Sequence, residues 1–176
     1  SVWPLRVATL GAALAAASLV LTGHSRTHSA HGLFPLLLGL HLLVVAFWFG
    51  ALWPLVQVLR GETAAIAAAV VARFSSLATR LVPLILVAGI GMAWLLVPDR
   101  SVFERPYGLL LLAKLAGFTL LMPLAAFNKW RLTPALAAHA PVALPTLRRV
   151  VVAEFVLICA VLTVTANLTA FYSPDG

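Results

Sequence analysis

Five long apolar runs, separated by short polar breaks, make up almost the whole chain. A run of about 20 apolar residues can cross the hydrocarbon core of a bilayer as an α-helix. The runs are continuously apolar and do not alternate with polar residues, which favours helices over strands. The pattern predicts an all-α, polytopic transmembrane helical bundle of about five spans, at residues 3–21, 33–59, 77–97, 107–127 and 146–171.

Two of the breaks carry structural information of their own. The stretch Gly61–Ser76 is too apolar for a free loop and predicts a helix that continues into the third run. The stretch Thr133–Pro145 is rich in proline and predicts an irregular or interfacial connection. No break is long enough for a soluble domain, so residues 1–176 predict one membrane domain.

The composition agrees with a membrane protein. Hydrophobic residues make up 62% of the chain and charged residues only 10%, which is too few charges to solubilise that much apolar surface. In a soluble protein, a net charge of +7 would suggest that the protein binds nucleic acid. Here the charges are scattered among the breaks without a basic stripe, so nucleic acid is not an expected partner.

Lysine and arginine are distributed unevenly among the breaks, and such residues concentrate on the cytoplasmic side. The second and fourth breaks hold most of them, so these breaks and the N-terminus are predicted to be cytoplasmic. The first and third breaks and the C-terminus then face the periplasm of a bacterial inner membrane. The residues behind this prediction are Arg60, Arg73, Arg80, Lys129, Arg131, Arg148 and Arg149.

Histidines cluster in the first break and continue into the second run. His24, His28 and His31 lie within eight residues, and His41 lies about 12 Å along the helix from Leu33. Neutral imidazole is a common ligand for Cu, Zn, Ni and Fe, so this arrangement predicts an entry funnel for a metal ion. The alternative is a solvated polar loop that binds nothing.

His41 is an ionisable residue within a predicted span, where such residues usually face a bundle interior or a cavity. It shares one helical stripe with Val45, Trp48 and Leu52. We expect it to receive the ion from the loop histidines. The alternative is a neutral histidine that bonds a neighbouring helix.

Lys114 lies in the fourth run, at a depth similar to that of His41, and shares a face with Gly117, Leu121 and Asn128. A lysine at that depth needs a partner, a wet cavity or a path along which its chain can snorkel to the interface. We expect it to be functional, with snorkelling as the alternative.

Glu154 lies in the fifth run, about 12 Å from Thr146, and Thr165 shares its face. Its expected partner is Asn128, Arg80 or Arg73, which lie at the same predicted level. A structural ion pair or hydrogen bond is favoured over a role in transport or proton transfer.

Sulfur is scarce. Met92 and Met122 are possible soft ligands for Cu(I), with Met92 as the weaker candidate beside His41, although core filling is the simpler role. The single cysteine, Cys159, predicts no disulfide and no metal site of the CxxC type. No hydrolase or nucleotide-binding motif occurs, so we expect the protein not to be an enzyme.

Several segments together resemble the copper resistance D (CopD) family of bacterial inner-membrane proteins, in the right order from about Thr22 to Ala170. The resemblance rests on residues 22–25 (TGHS), 41–52 (HLLVVAFWFGAL), 73–78 (RFSSLA), 107–108 (YG), 112–115 (LAKL), 127–129 (FNK) and 132–134 (LTP), together with Glu154.

The resemblance implies a helical bundle in the cytoplasmic membrane that handles copper by uptake from the periplasm. Members of the family often carry more spans upstream, or a periplasmic copper-binding partner or domain, so a periplasmic copper-binding partner is an expected partner here. It associates His24, His41 and Lys114 with function. Two alternatives remain open. One is a redox module in which His41 and His24 hold a b-type haem. The other is a non-catalytic accessory subunit of a larger membrane complex.

Overall fold

A computed structural model describes residues 33–96 and 100–171, and these residues are almost entirely helical, with no strand among them. The predicted all-α fold is therefore confirmed. Helix α1 spans Leu33–Gly61 and α2 spans Ala64–Leu96, followed by a 3₁₀ turn at Arg100–Glu104. Helix α3 spans Pro106–Phe127, a π-helical turn spans Asn128–Leu132, α4 spans Thr133–Ala137 and α5 spans Ala143–Phe171.

Within the described residues, four helical stretches are long and apolar enough to cross a bilayer: Leu33–Gly61, Ala64–Leu95, Pro106–Ala137 and Ala143–Phe171. Large apolar side chains point outward along them, as in Leu36 (68% exposed) and Ile90 (65% exposed). Such a surface suits lipid rather than water. These stretches match four of the predicted spans. The remaining one, residues 3–21, lies outside the described residues, and the orientation of the termini stays a prediction.

The breaks are shorter than the apolar runs suggested. Helix α2 begins at Ala64, so the prediction of a helix between Gly61 and Ser76 is confirmed. The Thr63 hydroxyl oxygen accepts a bond of 3.5 Å from the Ile66 N–H, as an N-cap does. The connection predicted as irregular over Thr133–Pro145 is ordered over most of its length, and only the turn between α4 and α5 is non-helical.

Two residues of α4 explain why this connection is mostly helical. Pro134 sits in the first turn of that helix, where its missing N–H costs little. Leu136 is only 1% exposed, so the short helix is fixed by a buried side chain. The turn that follows includes His139, whose φ of 59° is left-handed and whose Nδ1 lies 2.9 Å from the Ala137 carbonyl oxygen.

The described residues form two compact units. The first contains the part of α1 up to Trp48 and the part of α2 from Thr79 onward. The second contains Phe49–Ala78 and the described residues from the 3₁₀ turn through α5.

In the second unit, α3 packs along α5, and α5 also contacts the π-helical turn and α4. Gly117 allows the two long helices to approach closely, because a Cβ atom there would lie 2.5 Å from Val161 Cγ2. Small residues permit such backbone approach between membrane helices. At another point of this unit, the Phe155 ring stacks on Phe49 with centroids 5.2 Å apart and lies 5.8 Å from Trp53.

Candidate functional site

His41 lies in the first unit, on the side of α1 that faces the unit's interior. Phe34, Val44 and Trp48 on the same helix are buried, at 9%, 5% and 4% exposure. The His41 ring is half-buried, and its Nδ1 atom is shielded from solvent. The predicted inward placement of His41 therefore agrees with the burial of its neighbours.

Glycines of α2 leave room beside this ring. A Cβ atom at Gly89 would lie 3.9 Å from His41 Cε1, an ordinary van der Waals distance, so the imidazole faces Gly89 of α2 across a space that a methyl group could fill. A Cβ atom at Gly91 would lie 2.9 Å from Leu37 Cδ1, so the helices are close here as well. Gly89 and Gly91 are functional-site neighbours that the sequence prediction lacks, although two glycines in an apolar run are a signal of close helix packing.

Met92 lies on the same pair of helices. It follows Gly89 by three residues, about 4.5 Å along the axis of α2. Its side chain is 9% exposed, and Ala88 on its helical face is fully buried. The structure therefore brings His41 and Met92, two of the predicted metal ligands, into one unit.

The other predicted metal ligands, His24, His28 and His31, lie outside the described residues. Residues 33–96 and 100–171 contain no group of three or more histidine, cysteine, aspartate or glutamate side chains that are close enough together to hold a metal ion. The predicted funnel above His41 thus stays a prediction.

Glu154 lies in the second unit and, at 2% exposure, is the most deeply buried ionisable residue among the described residues. Asn128 Nδ2 donates a hydrogen bond of 2.8 Å to Glu154 Oε1. Of the three partners expected from sequence, Asn128 is the one that makes the contact, while Arg73 and Arg80 are exposed. The Asn128 Oδ1 atom is also buried, and it accepts no hydrogen bond from any described residue.

A π-helical turn positions Asn128. The Asn128 carbonyl oxygen accepts both the backbone N–H and the side-chain hydroxyl of Thr133, the latter at 2.8 Å. Such a five-residue turn widens the helix locally, and π-turns are frequent at functional sites. Pro134 contributes, because it has no N–H for the carbonyl four residues earlier. The Thr-Pro pair was the sequence signal for this irregularity, but its effect on Asn128 was not foreseen.

Lys114 lies on α3, two turns before Leu121 on the face that packs against α5. Gly117 and Leu121 are buried, so the face that Lys114 shares with them is the packed face of α3. Lys114 itself is half-buried, and its ammonium group has no hydrogen bond or ion pair with any described residue. The hydroxyl of Thr165 on α5 donates a hydrogen bond of 2.8 Å to the Val161 carbonyl oxygen of its own helix.

These features define a multi-pass α-helical membrane protein with isolated polar groups in its spans. The sequence model of the copper resistance protein D family matches residues 68–168, which is more than half of the chain. The chain therefore belongs to the CopD family. No curated protein and no solved structure matches it.

Proposed function

We propose that this protein takes up copper across the bacterial inner membrane from the periplasmic side. Membership of the copper resistance protein D family supports a role in copper handling. The observation that carries the proposal is His41, an imidazole inside a helix long and apolar enough to span the membrane, which faces Gly89 of α2. An intramembrane ionisable residue is a functional candidate by default, because its burial is costly.

In this proposal, His24, His28 and His31 capture copper outside the membrane and His41 receives it. Met92 is a secondary ligand, because a buried thioether on the facing helix suits Cu(I). A periplasmic copper-binding protein delivers the ion. The protein binds and moves copper and catalyses no reaction.

A bis-histidine haem is less well supported. The described residues include two histidines, and His139 lies in the turn after α4, outside the helices. The described part of the spans therefore offers one axial ligand, His41, and a haem would need His24 as the second.

The first test is metal analysis with an absorption spectrum on the full-length, detergent-purified protein. We expect near-stoichiometric copper that is lost in the His24→Ala/His41→Ala double variant. The matched control is His139→Asn, because His139 is exposed and asparagine tolerates its left-handed backbone. Copper content that is equal in all three proteins would refute the assignment, and a Soret band lost in the double variant would favour haem.

A second test separates capture from transfer. Copper accumulation is measured in cells that produce either the His24→Ala/His28→Ala/His31→Ala variant or the His41→Ala variant. The loop variant should need more external copper for the same uptake. The His41 variant should still bind copper but should lose uptake at every concentration. An unaffected uptake in His41→Ala would exclude His41 from the path.

A further inference from the structure

Asn128 and Glu154 form an incomplete hydrogen-bonded pair that copper handling does not use. The amide donates to one carboxyl oxygen, Oε1, at 2.8 Å. The amide oxygen of the same side chain is buried and receives no donor from the described residues. A buried acceptor without a donor carries a free-energy cost, so a donor to Asn128 Oδ1 would stabilise this pair.

The carboxyl group also lacks a positive partner in the part of the chain that the structure describes. Glu154 is 2% exposed, and its bond to Asn128 is the one polar contact it makes within the described residues. A single neutral amide compensates poorly for removing a carboxylate from water, particularly in a membrane-spanning helix. A neutral carboxylic acid would avoid this cost.

Among the described residues, the charged and titratable groups on the surrounding elements leave Glu154 without a counter-charge. Lys114 is about 21 Å from Asn128 along the helix axis, and Tyr107 is farther still. Lys129 is half-buried and makes no polar contact with Glu154, and Cys159 lies more than one turn along α5. The other groups of the second unit whose exposure the structure describes are exposed: Arg60, Glu62, Arg73, Glu104, Arg131, His139, Arg148 and Arg149. Arg105, next to the 3₁₀ turn, is exposed as well.

We propose that Glu154 and Asn128 form an intramembrane proton-binding site. Glu154 takes one proton from water on Oε2, and the resulting O–H group donates to Asn128 Oδ1. The amide N–H already donates to Oε1, so the two bonds close a cyclic pair between a carboxylic acid and an amide. The proton fills the vacant acceptor and removes the buried charge in one step.

The π-helical turn ties this proton to the conformation of the helix. Asn128 is the first residue of the turn, and its backbone carbonyl is held by Thr133. The proton is therefore enclosed as long as α3 and α5 remain packed at this turn. Its release requires Asn128 to move away from Glu154.

The test is infrared spectroscopy of the full-length protein in lipid nanodiscs at neutral pH. We expect a carbonyl band of a protonated carboxylic acid that shifts to lower frequency in D₂O. The band should disappear in Glu154→Gln and remain in Glu62→Gln, which makes the same change at an exposed position. Absence of the band at neutral pH, or its persistence in Glu154→Gln, would overturn the proposal. A carboxylate signal that depends on an added metal cation would also overturn it and would identify a cation site instead.

A second variant guards against misfolding of the first. In Asn128→Leu the acid remains but its amide partner is lost, so the carbonyl band should move to higher frequency as the hydrogen bond to Oε1 disappears. An unchanged frequency in Asn128→Leu would show that the acid and the amide do not form the proposed pair. Glutamine at position 154 can donate to Asn128 Oδ1 as the acid does, so Glu154→Gln should denature at the same temperature as the wild type. A much lower denaturation temperature would show that the carboxylate charge is needed and would contradict the proposal.

Discussion

Glu154 and Lys114 lie on the facing helices α5 and α3 of one unit, yet they are accommodated differently. Glu154 is 2% exposed and accepts a hydrogen bond from Asn128. Lys114 is half-buried and has no polar partner among the described residues. Both residues interrupt apolar runs, so the local sequence alone does not distinguish them.

The difference follows from side-chain length and from the neighbouring helix. Lysine carries its charge on a flexible four-carbon stem that can lie along apolar surface and reach toward a polar region. A glutamate is shorter, so its polar end must be satisfied where it lies. The π-helical turn places Asn128 for that purpose, whereas no described side chain does so for Lys114. Of these two residues, Glu154 is fixed in place because the facing element supplies a partner, and Lys114 has none among the described residues.

Of the substitutions that test this difference, Glu154→Lys should lower the free energy of unfolding the most. The substitution places an ammonium group where the surrounding side chains leave 2% exposure and where Asn128 Nδ2 is a donor. A buried charge without a partner costs about 3–5 kcal/mol, so the unfolding free energy should fall by that amount or the protein should fail to accumulate. Denaturant titration in mixed micelles measures this, with exposed Glu62→Lys expected to stay within about 0.5 kcal/mol of wild type. Equal losses in both variants would contradict the deep burial of Glu154.

Asn128→Leu removes the partner and leaves the carboxyl group in place. We expect a loss of about 1–3 kcal/mol in unfolding free energy, because a buried polar group is left unsatisfied. The same titration measures it. Asn167→Leu is the matched control, because Asn167 is exposed and bonds only the Thr163 carbonyl of its own helix, at 2.9 Å. A larger loss in Asn167→Leu would show that the Glu154 contact contributes little.

Gly117→Ala tests the close approach of α3 and α5 between the levels of the two charged residues. The added Cβ would lie 2.5 Å from Val161 Cγ2, so we expect a loss of about 1–2 kcal/mol from overpacking. Val161→Ala should recover part of this loss in the double variant, because it removes the clashing methyl groups. Strictly additive losses in the double-mutant cycle would argue against the contact.

Lys114→Met should have the smallest effect. No hydrogen bond or ion pair to a described residue is lost, and the cost of placing an ammonium group in a span is removed. The unfolding free energy should therefore stay within about 0.5 kcal/mol of wild type or rise slightly. A clear loss of stability would reveal a partner for the ammonium group. Unchanged stability combined with lost copper uptake would assign Lys114 to function, as the family resemblance implies.

Several features of the site could be predicted from the sequence because depth in a membrane scales with position in a helix. The sequence predicts Asn128 and Glu154 at one level, and they form a hydrogen bond, while the face shared by Lys114, Gly117 and Leu121 is the packed one. The sequence did not distinguish Asn128 from Arg73 and Arg80 as the partner. That choice depends on how the helices rotate against each other, which packing decides.

By itself the sequence determined the helical class and four of the long apolar helices, because long apolar runs can satisfy their backbone hydrogen bonds in lipid only as helices. It also determined the family, through the order of its short motifs along the chain. Only the tertiary structure decided which polar groups meet. Gly117 lies against Val161 because the helices approach closely where a side chain is absent, and Gly89 faces His41. The π-helical turn brings Asn128 to Glu154, while Lys114, on a regular part of the same helix, finds no partner in the described chain.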